Sequence, residues 1–177
     1  YFLNIKPVNS QIKNDKINFN EYLPLSLYFD NDQPDCCTLD TITEKNYQES
    51  YISYFKMQNE YINFFPDQRV EKFFKDTLNK NFHTLKLILE KILLELNNGK
   101  KIKIKIKGYA SPLYNTHYNI NLSKRRVNSL INFIKEYNFS VFDPYLKSNK
   151  FVLSAESFGE SKASKKVSDD PKSRKSS

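Results

Sequence analysis

The run Lys101 to Gly108, KIKIKIKG, constrains the fold more than any other stretch of the chain. Ile102, Ile104 and Ile106 fall on one face of a strand and Lys101, Lys103, Lys105 and Lys107 on the other. A parallel strand covered on both faces would be apolar throughout, so this alternation predicts a sheet with helices on one face and water on the other. After the glycine and the turn GYASPLYNT, the spacing predicts a helix over 116–137, with Val127, Leu130, Ile131 and Ile134 as its buried stripe. Two more alternating runs read as strands: Leu23, Leu25, Leu27 and Phe29 against Pro24, Ser26 and Tyr28, and Phe151, Leu153 and Ala155 against Val152, Ser154 and Glu156. Between the first two strands, Tyr47, Tyr51, Tyr54, Phe55, Ile62 and Phe65 recur at helical spacing up to Pro66. A second helical run goes from Val70 through Leu96 and stops at Gly99. An aromatic stripe at such spacing is core packing. The expected class is α/β, a two-layer sandwich of order β-α-β-α-β with helices on one face of a small mixed sheet and an extra aromatic-rich helix after the first strand.

A chain of 177 residues suits one domain and can bury a real core, and 39% hydrophobic with 15% aromatic residues excludes a disordered chain. The expected organisation is a polar lead or linker from a larger protein over 1–21, with a short strand at Tyr1 to Ile5, a folded domain over 22–160, and a basic Ser/Lys-rich tail over 161–177. A chain that begins at Tyr1 rather than Met reads as a processed product or an excised part. No apolar run reaches the ~20 residues that a membrane-spanning helix needs, and no signal-peptide pattern occurs. Adjacent cysteines bridge only through a strained ring, so Cys36 and Cys37 are expected to be two loop thiols.

The formal charge of +8 permits a polyanionic partner, whether nucleic acid, anionic lipid or acidic wall polymer. The exposed face of the 101–107 strand is lysine alone, without the interleaved aromatics that an RNA-binding sheet needs, so no nucleic acid is expected. Three glycines cannot build a phosphate-cradling loop, His83 and His117 lie in different elements, and no nucleophile elbow occurs. The expectation is a protein that is not an enzyme, with no catalytic residues, cofactor or metal.

The adjacent arginines of SKRR need their own account. Asn119, Leu122 or Ser123, and Arg126 share one helical face. Arg126 directly precedes the buried stripe, and Arg125 is turned about 100° away by the helical period, so Arg126 should be held near the sheet's end and Arg125 should be free. A guanidinium beside the N–H groups of a helix start is a good receptor for a carboxylate or phosphate. Spacing alone favours a plainer reading, a solvated face with a structural ion pair.

The wording of the segment adds to this. GYASPLYNTHYNINLSKRRVNSL resembles the peptidoglycan-binding signature of OmpA-like C-terminal domains, in which a glycine ending a strand leads to a Tyr-Asn, a Leu-Ser and an Arg-Arg on the next helix. LYFDND resembles that family's first strand and Phe-Asp loop, and FGESKA resembles its Gly-Glu-Ser stretch; together the matches span most of Leu23 to Ala163. The resemblance implies a non-catalytic anchor on the periplasmic side of the outer membrane that grips the diaminopimelate of the peptidoglycan stem peptide. By position, Arg126 would meet the diaminopimelate carboxylate. Phe29 and Asp30, with Asn31, match the first-strand loop, Tyr109, Ala110 and Ser111 the strand-end turn, and Asn119 and Leu122 the helix residues lining the site.

Three departures qualify the resemblance. The family carries an acidic residue where this chain has Ser111, and a serine cannot neutralise the ligand's ammonium, so roughly 1 kcal/mol or more of charge-assisted binding is missing. Either binding is weaker, the ligand differs, or Asp30 or Asp32 supplies the charge. The family's domain ends in a further strand that this chain lacks before Ser177. The region Thr38 to Asn98 is lengthened, and its helix over Asn46 to Phe65 could dock other envelope proteins. The alternative function is accordingly a degenerate OmpA-like fold acting as a protein–protein module in an envelope or secretion assembly.

Overall fold

A computed structural model describes residues 17–112 and 114–161; the strand expected at Tyr1 to Ile5 and the basic tail from Lys162 onward lie outside them. After a 3₁₀ turn at Phe19–Glu21, the elements in order are α1 (Tyr47–Lys56), α2 (Gln58–Phe64), α3 (Gln68–Lys72), a π-helical stretch Phe73–Asn79, α4 (Lys80–Asn97), β1 (Ile102–Gly108), α5 (Thr116–Ser140), α6 (Asp143–Lys147) and β2 (Phe151–Ser157). α1 starts at Asn46, whose side chain accepts from the Glu49 N–H while the Glu49 carboxylate accepts from the Asn46 N–H. α4 stops just before Gly99, whose φ of 81° is the left-handed conformation that glycine adopts without steric cost.

β1 and β2 are parallel, with Ile102 opposite Phe151 and Gly108 opposite Ser157, and α5 with α6 forms the crossover between them. The one-sided sheet is as expected. Along β1, Ile106 is buried and Ile102 and Ile104 half-buried, whereas Lys103, Lys105 and Lys107 are exposed. On the covered side, α4 contributes Phe82, Leu85, Leu89 and Ile92, and α5 contributes Val127, Phe133 and Ile134. The aromatics of α1 do pack as core: Tyr51 stacks on Phe82 at 4.0 Å between ring centroids, and Tyr47 is fully buried against Phe82 and Phe29. The architecture is mixed helix and strand.

The expected first strand does not form. Among the described residues the sheet has two strands, not a mixed three-stranded set. Leu25, Leu27 and Phe29 do turn toward the core while Ser26 and Tyr28 are exposed, so the two-residue alternation holds from Leu25 on, but Leu23, expected on the same face, is 52% exposed. Its backbone groups, however, meet side chains instead of a neighbouring strand. The Tyr47 hydroxyl accepts from the Tyr28 N–H at 3.3 Å and lies 3.2 Å from the Tyr28 carbonyl, and Asn81 donates to the Ser26 carbonyl at 2.9 Å.

Two glycines set the strand ends against α5. A Cβ on Gly108 would lie 2.4 Å from the Ser123 carbonyl oxygen and 2.6 Å from Val127 Cγ2, so only glycine lets β1 end this close to the helix. Gly159, at φ 52°, is seated against Ile120, and its N–H donates to the Ser123 hydroxyl at 3.1 Å. Both strand ends therefore meet the first turns of α5.

Candidate ligand-binding site

A cleft of about 140 Å³ opens where these strand ends, the start of α5 and the loop after Phe29 meet. One water needs ~10–15 Å³ of such space, so the cleft has room for on the order of ten waters, enough to take in one amino-acid end group. Five of the expected residues line it: Asn31, Ser111, Asn119, Leu122 and Arg126. Asp32 and Tyr114 complete the lining. Asp32 stands out in the sequence only as a possible source of negative charge, and the one sign of Tyr114 is its place in the turn before the helix.

Arg126 is fixed by three carbonyls. Its Nε donates to Gln33 O at 3.0 Å, Nη1 to Tyr109 O at 3.1 Å and Nη2 to Asp30 O at 3.2 Å, and its guanidinium lies 5.4 Å from the centre of the Phe29 ring. A guanidinium has five N–H groups, so one on each Nη has no partner among the described residues. Burial pushes its pKa down to about 10; Asp32 provides the strongest opposing pull, and the Arg125 charge adds to the lowering. At neutral pH it is a cation in a partly desolvated cleft, with donors left over.

The neighbouring groups are already committed to positioning. Asn119, 2% exposed, donates from Nδ2 to Tyr114 O at 2.8 Å and to Glu160 Oε2 at 2.6 Å. Asp30 contributes its backbone, because its carboxylate accepts from the Tyr61 hydroxyl at 2.5 Å; burial, and after it this contact, raises the Tyr61 pKa. Ala110 is buried with Tyr118 and Leu122, and its N–H donates to Gly159 O at 2.9 Å. Tyr109 stacks on Phe158 and reaches the cleft only through its carbonyl. Phe29, Asp30, Tyr109 and Ala110 thus support the cleft without lining it.

The expectation of a free Arg125 is overturned. Arg125 is 0% exposed, lies 5.4 Å from the centre of the Tyr118 ring, and donates to Pro34 O at 3.1 Å, Thr38 O at 3.0 Å and Asp40 O at 2.6 Å. Counting from the apolar stripe placed it in water because hydrophobic periodicity registers only apolar cover. α5 has a second covered side, made of Asn121, Arg125, Asn128 and Asn132, and what covers it is a loop. Asn121 donates to Leu39 O at 2.8 Å, Asn128 accepts from the Thr43 N–H at 2.8 Å, and Asn132 donates to Thr43 O at 2.8 Å.

The same loop corrects the reading of the cysteines. Cys36 and Cys37 are bonded to each other in a disulfide and are not free thiols. Asp35, just before the bonded pair, and Cys37, its second member, have φ of 55° and 67°, a tight left-handed path. Asp35 accepts from the Thr43 hydroxyl and pairs with Lys45 at 2.9 Å, and these contacts hold its carboxyl below the usual range.

Among the described residues no group of three or more His, Cys, Asp or Glu could hold a metal ion, and no helix is long and apolar enough to cross a membrane. In comparisons with known proteins, no family model matches the chain, and no curated protein or solved structure matches it either.

Proposed function

We propose that this chain is a non-catalytic wall-binding module. It holds the diaminopimelate end of a peptidoglycan stem peptide and so anchors an outer-membrane or periplasmic protein to the cell wall. The observation that carries the reading is convergence: Asn31, Ser111, Asn119, Leu122 and Arg126, drawn from three separate segments by the resemblance to OmpA-like domains, border one cleft of amino-acid size. A fixed guanidinium with one N–H left on each Nη suits a carboxylate, which accepts such a pair in parallel.

Calorimetric titration with a diaminopimelate-containing stem peptide, beside its lysine-containing analogue, tests this. Saturable binding of the first peptide that is lost in Arg126→Ala and kept in Lys124→Ala, an exposed neighbour, is the expected result. Equal binding of both peptides, or no loss in Arg126→Ala, would remove the assignment.

A second reading, a protein–protein module of an envelope assembly, draws on α2. That helix buries none of its residues, Phe64 at its end is 79% exposed, and Phe65 just after it is 48% exposed. α1 buries Tyr47, Ser50 and Tyr51 and exposes Ile52, so within Asn46 to Phe65 the largest exposed apolar side chains are at this end. Absence of heat with either peptide from a folded chain would favour this second reading.

A further inference from the structure

The cleft contains a negative charge that its own fold does not use. Asp32 lines it, and among the described residues the Asp32 carboxylate has neither a hydrogen bond nor an ion pair. The other acids nearby are engaged: Asp30 accepts from Tyr61, Glu160 accepts from Asn119 and from Thr116, and Asp35 is tied to Thr43 and Lys45. Asp32 and Arg126 border the same space without pairing to each other, although Asp32 is the strongest attractive charge acting on the arginine. Two opposite charges that border one cleft of about 140 Å³ without pairing fit a ligand that carries both signs.

The two arginines hold the loop that carries Asp32. Arg126 holds the carbonyls of Asp30 and Gln33 on either side of Asp32, and Arg125 holds Pro34 beyond. Asp32 itself has φ of 54°, a left-handed conformation that Asp and Asn tolerate better than other side chains. The backbone that carries its carboxylate is therefore held on both sides.

We propose that Asp32 is the ammonium acceptor of this cleft and makes it selective for a zwitterionic amino-acid end over a simple carboxylate. The inference rests on the wall-binding reading for the identity of the natural ligand, but it concerns the loop residue that supplies the charge Ser111 does not. The loop that Arg126 holds would do what an acid in the strand-end turn would otherwise do.

The test is an NMR titration of the whole chain with meso-diaminopimelate and with pimelate, which has the same carbon chain and carboxylates without the ammonium groups. Diaminopimelate should shift the Arg126 Nε–H and the Asn31 and Asp32 amides and bind at least tenfold more tightly than pimelate. Asp32→Asn, which keeps the left-handed turn and removes the charge, should erase that preference, and adding Ser111→Asp to it should restore the preference. Equal affinity for the two compounds, or a preference that survives Asp32→Asn, overturns the assignment of Asp32. If the stem peptide binds and loses nothing in Asp32→Asn, the wall-binding reading stands and this inference falls. If diaminopimelate is preferred through Asp32 but the stem peptide does not bind, the inference stands and the wall-binding reading falls. No binding of any of them removes both.

Discussion

One side of α5, with Asn121, Arg125, Asn128 and Asn132, lies under the 34–45 loop, while the side with Asn119, Leu122 and Arg126 borders the cleft. Both sides are polar, and both use an arginine to hold backbone carbonyls. They differ in what is left over. Under the loop, Arg125 Nε and Nη1 meet three carbonyls, the residue is closed to water, and Nη2, though without a partner among the described residues, faces no open space. At the cleft, Arg126 also meets three carbonyls but keeps an N–H on each Nη beside open space. Two identical side chains one residue apart therefore have separate tasks, and water access decides which of them can meet a ligand.

This contrast can be broken most sharply at Arg125. Arg125→Ala would leave three carbonyls without their donor, and the expected loss is about 2–4 kcal/mol of stability, read from chemical denaturation. A loss under about 1 kcal/mol would mean that the loop side does not hold the fold. Gly108→Ala comes next. The new methyl group would meet a backbone oxygen that cannot swing away, so a loss of about 1–3 kcal/mol is expected, with both sides of the helix disturbed together. Asn121→Ala removes a single loop contact and should cost about 1 kcal/mol, which a melting curve would register. On the cleft side, Tyr114→Ala should change stability by less than about 0.5 kcal/mol, because the ring is 63% exposed. Burial lowers the Arg126 pKa to about 10, so carboxylate binding through it should hold through the neutral range and weaken only in strong base; a pimelate titration from neutral to alkaline pH measures it.

Much of the fold was legible in the sequence because water and apolar cover write a period into it. Ile102, Ile104 and Ile106 marked the covered face of β1, and Tyr47 and Tyr51 marked the inner face of α1. The period reports which way side chains point, not which partner the backbone finds. Leu25 to Phe29 therefore alternates faithfully and still lies outside the sheet, bonded to Tyr47 and Asn81. The cleft was half legible. Arg126, Asn119 and Leu122 lie on one helical face that spacing can predict, and Ser111 came in through the resemblance. Arg125 was misread because a charged residue buried under a loop leaves no apolar signature, and its partners are carbonyls 85 to 91 positions away in the chain.

The contacts that α5 makes with the 34–40 loop end on main-chain carbonyls, those of Pro34, Thr38, Leu39 and Asp40. A carbonyl is common to every residue type, so α5 prescribes the route of this segment and leaves its spelling open. Leu39, exposed and joined to α5 through its carbonyl, is therefore a natural place to attach a reporter group without moving the cleft beside it.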